Sequence, residues 1–99
     1  MFEYKNYTCV PRWGRYHNGQ NSLQLIDPKS AEDGEQIGTA SVCVDQHISE
    51  DCVCIKNYNE NVGVLEALVK AGIVVDTGNT LPVGYARANV CLILKKEGM

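Results

Sequence analysis

The chain has 99 residues, 44% hydrophobic and 21% charged, with 12 acids and 9 bases giving a formal charge of −3. That is the size of one domain, 1–99, long enough for a core of its own and too apolar for a disordered chain. So small a charge excludes a protein that gathers nucleic acid by field strength, or one that imitates DNA by its own charge.

The opening Met-Phe-Glu-Tyr-Lys-Asn-Tyr has no basic stretch leading into an apolar one. The apolar runs also fall far short of the roughly 20 residues that span a bilayer. The expectation is a soluble, cytoplasmic protein without a membrane partner. Five cysteines, Cys9, Cys43, Cys52, Cys54 and Cys91, make an odd count without an export signal, which favours free thiols. All lie in apolar or alternating runs, where a reduced cysteine acts as a small buried hydrophobe.

In chain order, residues 2–10 read as a strand with an irregularity or turn near Asn6, and 13–17 as a second extended piece. Asn18-Gly19 predicts a hairpin, because both residues tolerate positive φ. Residues 23–26 form its far strand, ended by Asp27-Pro28. Residues 28–36 are a polar loop. A strand over 37–44 alternates Ile37, Thr39, Ser41 and Cys43 with Gly38, Ala40, Val42 and Val44. Residues 45–51 are polar, and 52–55 make a short strand.

A helix over about 60–71 is the best-marked element, its dipole matched by Glu60 and Lys70. Asn59 is its expected N-cap. Leu65, Leu68, Val69 and Gly72 form the buried stripe, broadened by Val62, Val64 and Ala71. Gly72 supplies a left-handed stop. Gly63 costs about 1 kcal/mol against alanine inside a helix, which points to a close backbone neighbour. After it come an extended piece over 73–75, a turn over 76–79 and a bend over 82–84. A last strand over 85–94 places Ala86, Ala88, Val90, Leu92 and Leu94 on a wholly apolar core face. Strands joined by short turns, with one late helix, predict an α+β fold. It is a mainly antiparallel, strongly twisted sheet of about five strands with the helix packed on it.

The chemistry is sparse. Cys52 and Cys54 point to one face of a strand, with Cys43 and His47 near in sequence, which makes them weak zinc candidates. The usual zinc spacing needs a second cysteine pair, and there is none, so no metal and no cofactor are expected. Nothing obvious in the sequence would lower a thiol pKa for redox work. Ser22, Ser41 and Ser49 have no nucleophile context, and His17 and His47 read as exposed polar residues. Gly78 and Gly84 punctuate turns and are not a phosphate cradle. The chain is not expected to be an enzyme.

The N-terminal third mixes Tyr4, Tyr7, Trp13 and Tyr16 with Lys5, Arg12 and Arg15. Such rings either stack nucleic-acid bases or fill the core, and the weak overall charge favours the core. Should Trp13 and Tyr16 be exposed together, then Arg12, Trp13, Arg15, Tyr16 and His17 would form a partner-binding surface.

Three phrases carry a likeness. They are Asn18-Gly19-Gln20 leading to Leu23-Gln24-Leu25-Ile26-Asp27, Glu35-Gln36-Ile37-Gly38-Thr39-Ala40-Ser41-Val42, and residues 55–68 from Ile-Lys-Asn-Tyr to Glu-Ala-Leu. The chain resembles a family of small uncharacterised proteins of bacteriophages and conjugative elements, especially of gut bacteria. The similarity runs through Ala71-Gly72-Ile73-Val74 and Pro82-Val83-Gly84-Tyr85 to Val90-Cys91. Cys43, Cys52 and Cys54 appear particular to this member, which weakens a shared metal site. The resemblance implies a mobile-element origin and an accessory role, and transfers no catalytic residue. Together these readings predict a non-enzymatic accessory protein that binds a host or element protein, with an antidefence inhibitor as one form. The alternative is a single-stranded nucleic-acid-binding accessory protein using the aromatic and basic N-terminal strands.

Overall fold

The computed structural model describes residues 2–28 and 35–94. Most of the expected polar loop over 28–36 lies outside them. The fold is α+β, with seven strands in two antiparallel sheets and one short α-helix among the described residues. The first sheet runs in the order β1 (Phe2–Tyr4), β2 (Tyr7–Arg15), β3 (Asn21–Asp27) and β4 (Glu35–Thr39). The second places β7 (Ala86–Ile93) between β5 (Cys52–Ile55) and β6 (Val74–Val83). A single bridge between Ser41 and Ile55 links the two, and α1 (Val64–Lys70) packs against β1 and β6.

The expected irregularity near Asn6 is a complete hairpin turn. Lys5 and Asn6 both take positive φ, 49° and 68°, the requirement of a two-residue turn between twisted strands. The second hairpin uses a different solution from the one expected, with positive φ at Gly19 alone. The Gly19 amide donates to the Tyr16 carbonyl at 2.9 Å and the Tyr16 amide to the Gln20 carbonyl at 2.8 Å. Asn18 contributes its side chain instead, accepting the Gln20 amide at 3.0 Å.

The strand expected over 37–44 ends at Thr39. Residues 40–44 leave the first sheet and cross to the second, with the Ala40 amide on the Leu23 carbonyl and the Val42 amide on the Cys54 carbonyl. Satisfying backbone groups on both sheets in turn prevents this segment from continuing as either strand.

The helix is shorter than expected, and its start is built differently. Residues Asn59–Asn61 form one 3-10 turn, and the α-helix begins only at Val64. Asn59 has φ 54° and does not cap it. Asn57 does, its Oδ1 accepting the amides of Gly63 and Leu65 at 3.0 and 3.1 Å. Gly63 has φ 98°, a conformation in which a side chain is strained. No backbone atom crowds it; the nearest atom to a hypothetical Cβ is a Tyr4 ring carbon at 3.7 Å. Conformation, not a close neighbour, therefore explains this glycine. With the shift of the helix start, Val62 is 61% exposed and Val69 43%, so neither joins the stripe of Val64, Leu65 and Leu68. Gly72 is the expected left-handed stop at φ 73°. The Ile73 amide reaches back to Leu68 and the Gly72 amide to Val69, both at 3.0 Å, completing the helix end.

The turn expected over 76–79 is a bulge inside the edge strand β6, stabilised by the Thr77 hydroxyl donating to the Val90 carbonyl at 2.7 Å. The expected core face of the last strand is corrected too. Cys91 and Ile93 face the main core with Val53, Ile55 and Val74. Ala88 and Val90 face a smaller cluster with Val44 and Cys54, while Leu92 and Leu94 stay exposed. That apolar face is covered only in part, by Val42, Val44 and Ile48 with Leu81 and Val83.

Candidate functional site

A cavity of about 670 Å³ forms a groove between the turn of the β1–β2 hairpin and β4. Its volume is that of a small-ligand site. Tyr4, Lys5 and Tyr7 line one side, Ile37, Gly38 and Thr39 the other. Tyr16, Ser41, Cys43, Lys56 and Asn61 complete it.

Each group is held by a local cause. The Lys5-Asn6 turn places the Lys5 ammonium 5.4 Å from the Tyr4 ring centre. The Tyr4 hydroxyl donates to the Val62 carbonyl at 3.3 Å, joining the hairpin to the helix start. The Tyr16 hydroxyl and Ser41 Oγ are 2.8 Å apart, and Ser41 Oγ accepts the Leu23 amide at 2.8 Å. Lys56 holds its ammonium 5.7 Å from the Tyr58 ring. Asn61 donates from Nδ2 to the Thr39 carbonyl at 2.7 Å. Tyr7 is 51% exposed and offers ring surface to a ligand. No Asp or Glu lines the groove among the described residues, although the chain as a whole is acidic.

Gly38 is the informative floor residue. It pairs with Leu25, so a side chain there would stand beside Leu25, which also lines the groove. A Cβ built on Gly38 meets no atom within 4 Å, and its φ lies outside the left-handed region. Neither conformation nor crowding requires glycine here.

A second cavity of about 420 Å³ lies where the β2–β3 hairpin meets residues 45–50. Two buried amides fix this region. Gln20 donates from Nε2 to the carbonyls of Val44 and Gln46 at 3.0 and 2.9 Å, and its Oε1 accepts the Val44 amide at 3.0 Å. Asn21 donates from Nδ2 to the carbonyls of Glu50 and Cys52, both at 2.8 Å. These bonds set the path of the segment that carries Ser41 and Cys43 into the groove.

The five residues expected as a partner surface do not assemble into one. Trp13 is 8% exposed and belongs to the core, opposite Leu23, so it has no ring face for stacking. Its Nε1 has no hydrogen-bond partner among the described residues. Arg12 is exposed and, by the alternation of the strand, points away from Trp13. Arg15 lies at the second cavity and donates to the Gly19 carbonyl at 2.9 Å. His17 is exposed on the hairpin turn. Only Tyr16 reaches the groove.

No family model matches the chain, and no curated protein or solved structure matches it either. The chemistry of the site is therefore read from its own atoms.

The cysteines are free. Cys54 is buried, Cys52 half-buried, and among the described residues no three His, Cys, Asp or Glu side chains are grouped to hold a metal ion. Burial raises the pKa values of Cys9, Cys52 and Cys54. It pushes Cys91 to about 12, with Asp76 and the neighbouring thiols adding to the shift. Such thiols are poor nucleophiles and poor ligands. No described helix is long and apolar enough to cross a membrane.

Proposed function

We propose that this chain is a non-catalytic accessory protein of a phage or conjugative element, which acts by binding a host or element protein at the Tyr7–Gly38–Lys56 groove. The observation that carries the reading is the make-up of the groove. It combines a half-exposed tyrosine ring, two lysines and a bare backbone floor, with no described carboxylate lining it. Tyrosine supplies large, rigid contact area. The mobile-element origin rests on the resemblance of the three sequence phrases.

The test uses Gly38→Trp, which puts bulk into the groove from a position where an added Cβ meets no atom within 4 Å. The wild-type chain is expected to retain a stoichiometric partner from a bacterial host lysate, and Gly38→Trp to lose it. Absence of any stoichiometric partner would remove the reading's support.

A second reading, single-stranded nucleic-acid binding, draws on Tyr7 with Lys5 and Lys56, in place of Trp13 and Arg12. Trp13 is buried, so fluorescence anisotropy of a labelled oligonucleotide is the suitable measurement. No binding at low salt disposes of it.

A further inference from the structure

Resting on that proposal, we infer that the part of the partner entering the groove is the side-chain carboxamide of an asparagine or glutamine, held between the Tyr16–Ser41 hydroxyls and Asn61. Two polar groups of the groove have hydrogen-bonding capacity that the described residues leave unused, one as a donor and one as an acceptor.

The donor belongs to the hydroxyl pair. Tyr16 and Ser41 carry two hydroxyl protons between them, and only one can lie in their 2.8 Å bond. Ser41 Oγ also accepts the Leu23 amide, and neither hydroxyl makes another bond among the described residues. Ser41 is 3% exposed, so a proton left unmet on its oxygen would carry the full desolvation cost of a buried donor. That cost is avoided when Ser41 donates to Tyr16, which puts the spare proton on the half-buried phenol.

The acceptor is Asn61. Its Nδ2 faces the Thr39 carbonyl at 2.7 Å, which fixes the other amide atom as oxygen. That Oδ1 accepts no hydrogen bond among the described residues. Trp13 Nε1 is the one sealed side-chain N or O there without a partner, so Asn61 Oδ1 is accessible, although its residue is only 8% exposed. The groove is the space that Asn61 lines.

Spacing and depth choose the occupant. The two groups are anchored at residues 39 and 41, whose backbones stand at most about 7 Å apart. That suits one small group with a hydrogen bond of about 2.9 Å at each end. A carboxamide both accepts, from Tyr16, and donates, to Asn61. A carboxylate would set a bare oxygen against Oδ1. A main-chain amide has the same two functions, but Ser41 and Asn61 lie at a depth that a side chain reaches and a chain does not. Leu25, Ile37 and Val42 give the methylene stem an apolar wall.

The experiment is a titration of the isotope-labelled full-length chain, followed by amide NMR shifts, with the peptides acetyl-Val-Gln-Val-amide, acetyl-Val-Glu-Val-amide and acetyl-Val-Met-Val-amide. The Gln peptide is expected to shift the Thr39 and Ser41 amides and the Asn61 side-chain amide, and the other two to bind about fivefold or more weakly. Tyr16→Phe, verified as folded by its spectrum, is expected to weaken the Gln peptide about fivefold and leave the Met peptide unchanged. Equal binding of all three peptides, a preference for Glu, shifts away from the groove or none at all, or equal weakening by Tyr16→Phe would overturn the inference. If the peptides fail in this way while Gly38→Trp still loses the host partner, the proposed function survives. If Gly38→Trp keeps the partner, both readings fall.

Discussion

Replacing Gln20 by Met keeps the length of the side chain and removes three hydrogen bonds at once, those to Val44 O, Gln46 O and Val44 N. The three losses are unequal. The Val44 carbonyl keeps the Asn18 Nδ2 donor at 3.2 Å, and Gln46 is exposed, so water can replace its bond. The Val44 amide has no such substitute, because Val44 is buried. Leaving one buried donor unmet costs about 1–3 kcal/mol, and the other bonds contribute about 1 kcal/mol each or less. The expected destabilisation is therefore about 2–4 kcal/mol, measured by urea unfolding with an unchanged slope. Amide exchange at Val44 should rise with it, and groove binding should weaken because Ser41 and Cys43 share the same segment. A loss under about 0.5 kcal/mol would refute the claim that this amide holds the crossover between the sheets.

Four other outcomes follow from the same geometry. Gly63→Ala places a side chain at φ 98°, so it should cost about 1–3 kcal/mol, where a glycine kept only for close packing would show little strain. Asn57→Ala should cost about 1 kcal/mol through loss of the helix cap, whereas Asn59→Gly, which keeps the left-handed backbone at φ 54°, should leave stability nearly unchanged. Among the thiols, exposed Cys43 should react first with a maleimide, and fully buried Cys91 only on unfolding. In the unfolded chain Cys91 ionises near its ordinary value of 9, while in the fold it stays protonated to about 12. Its contribution to stability is thus whole below pH 9 and lost as pH rises towards 12, a change of about 4 kcal/mol at most. Unfolding curves of wild type and Cys91→Ala across that window check this: the variant should show the shallower alkaline loss.

Local patterns in the sequence located most strands, the Asn18-Gly19 hairpin and the glycine stop of the helix, because alternation and turn chemistry are written within a few residues. What they missed depended on distant partners. Asn59 looks like a cap by position, but Asn57 lies closer to the amides once Gly63 turns the chain. The run over 37–44 alternates correctly for a strand, yet its two halves bond to different sheets. Val62 and Val69 have helical spacing but lie on the side that neither sheet covers. Trp13 could not be assigned to core or surface from a mixed aromatic and basic segment. Pairing with Leu23 inside the core decides it. The groove was least visible, since Tyr7, Gly38 and Lys56 lie far apart in sequence and meet only in the fold. Gly38 in the middle of an apolar alternation was the one local hint.

The central claim is that the groove beside β4 is where this protein binds. Its most direct test compares partner capture by the wild type, by Gly38→Trp, and by Val75→Asp on the exposed apolar strip of the second sheet beside Leu92. All three should be verified as folded. Capture is expected with the wild type and Val75→Asp, and none with Gly38→Trp. Capture that survives Gly38→Trp and fails with Val75→Asp would place binding on the other sheet and contradict it.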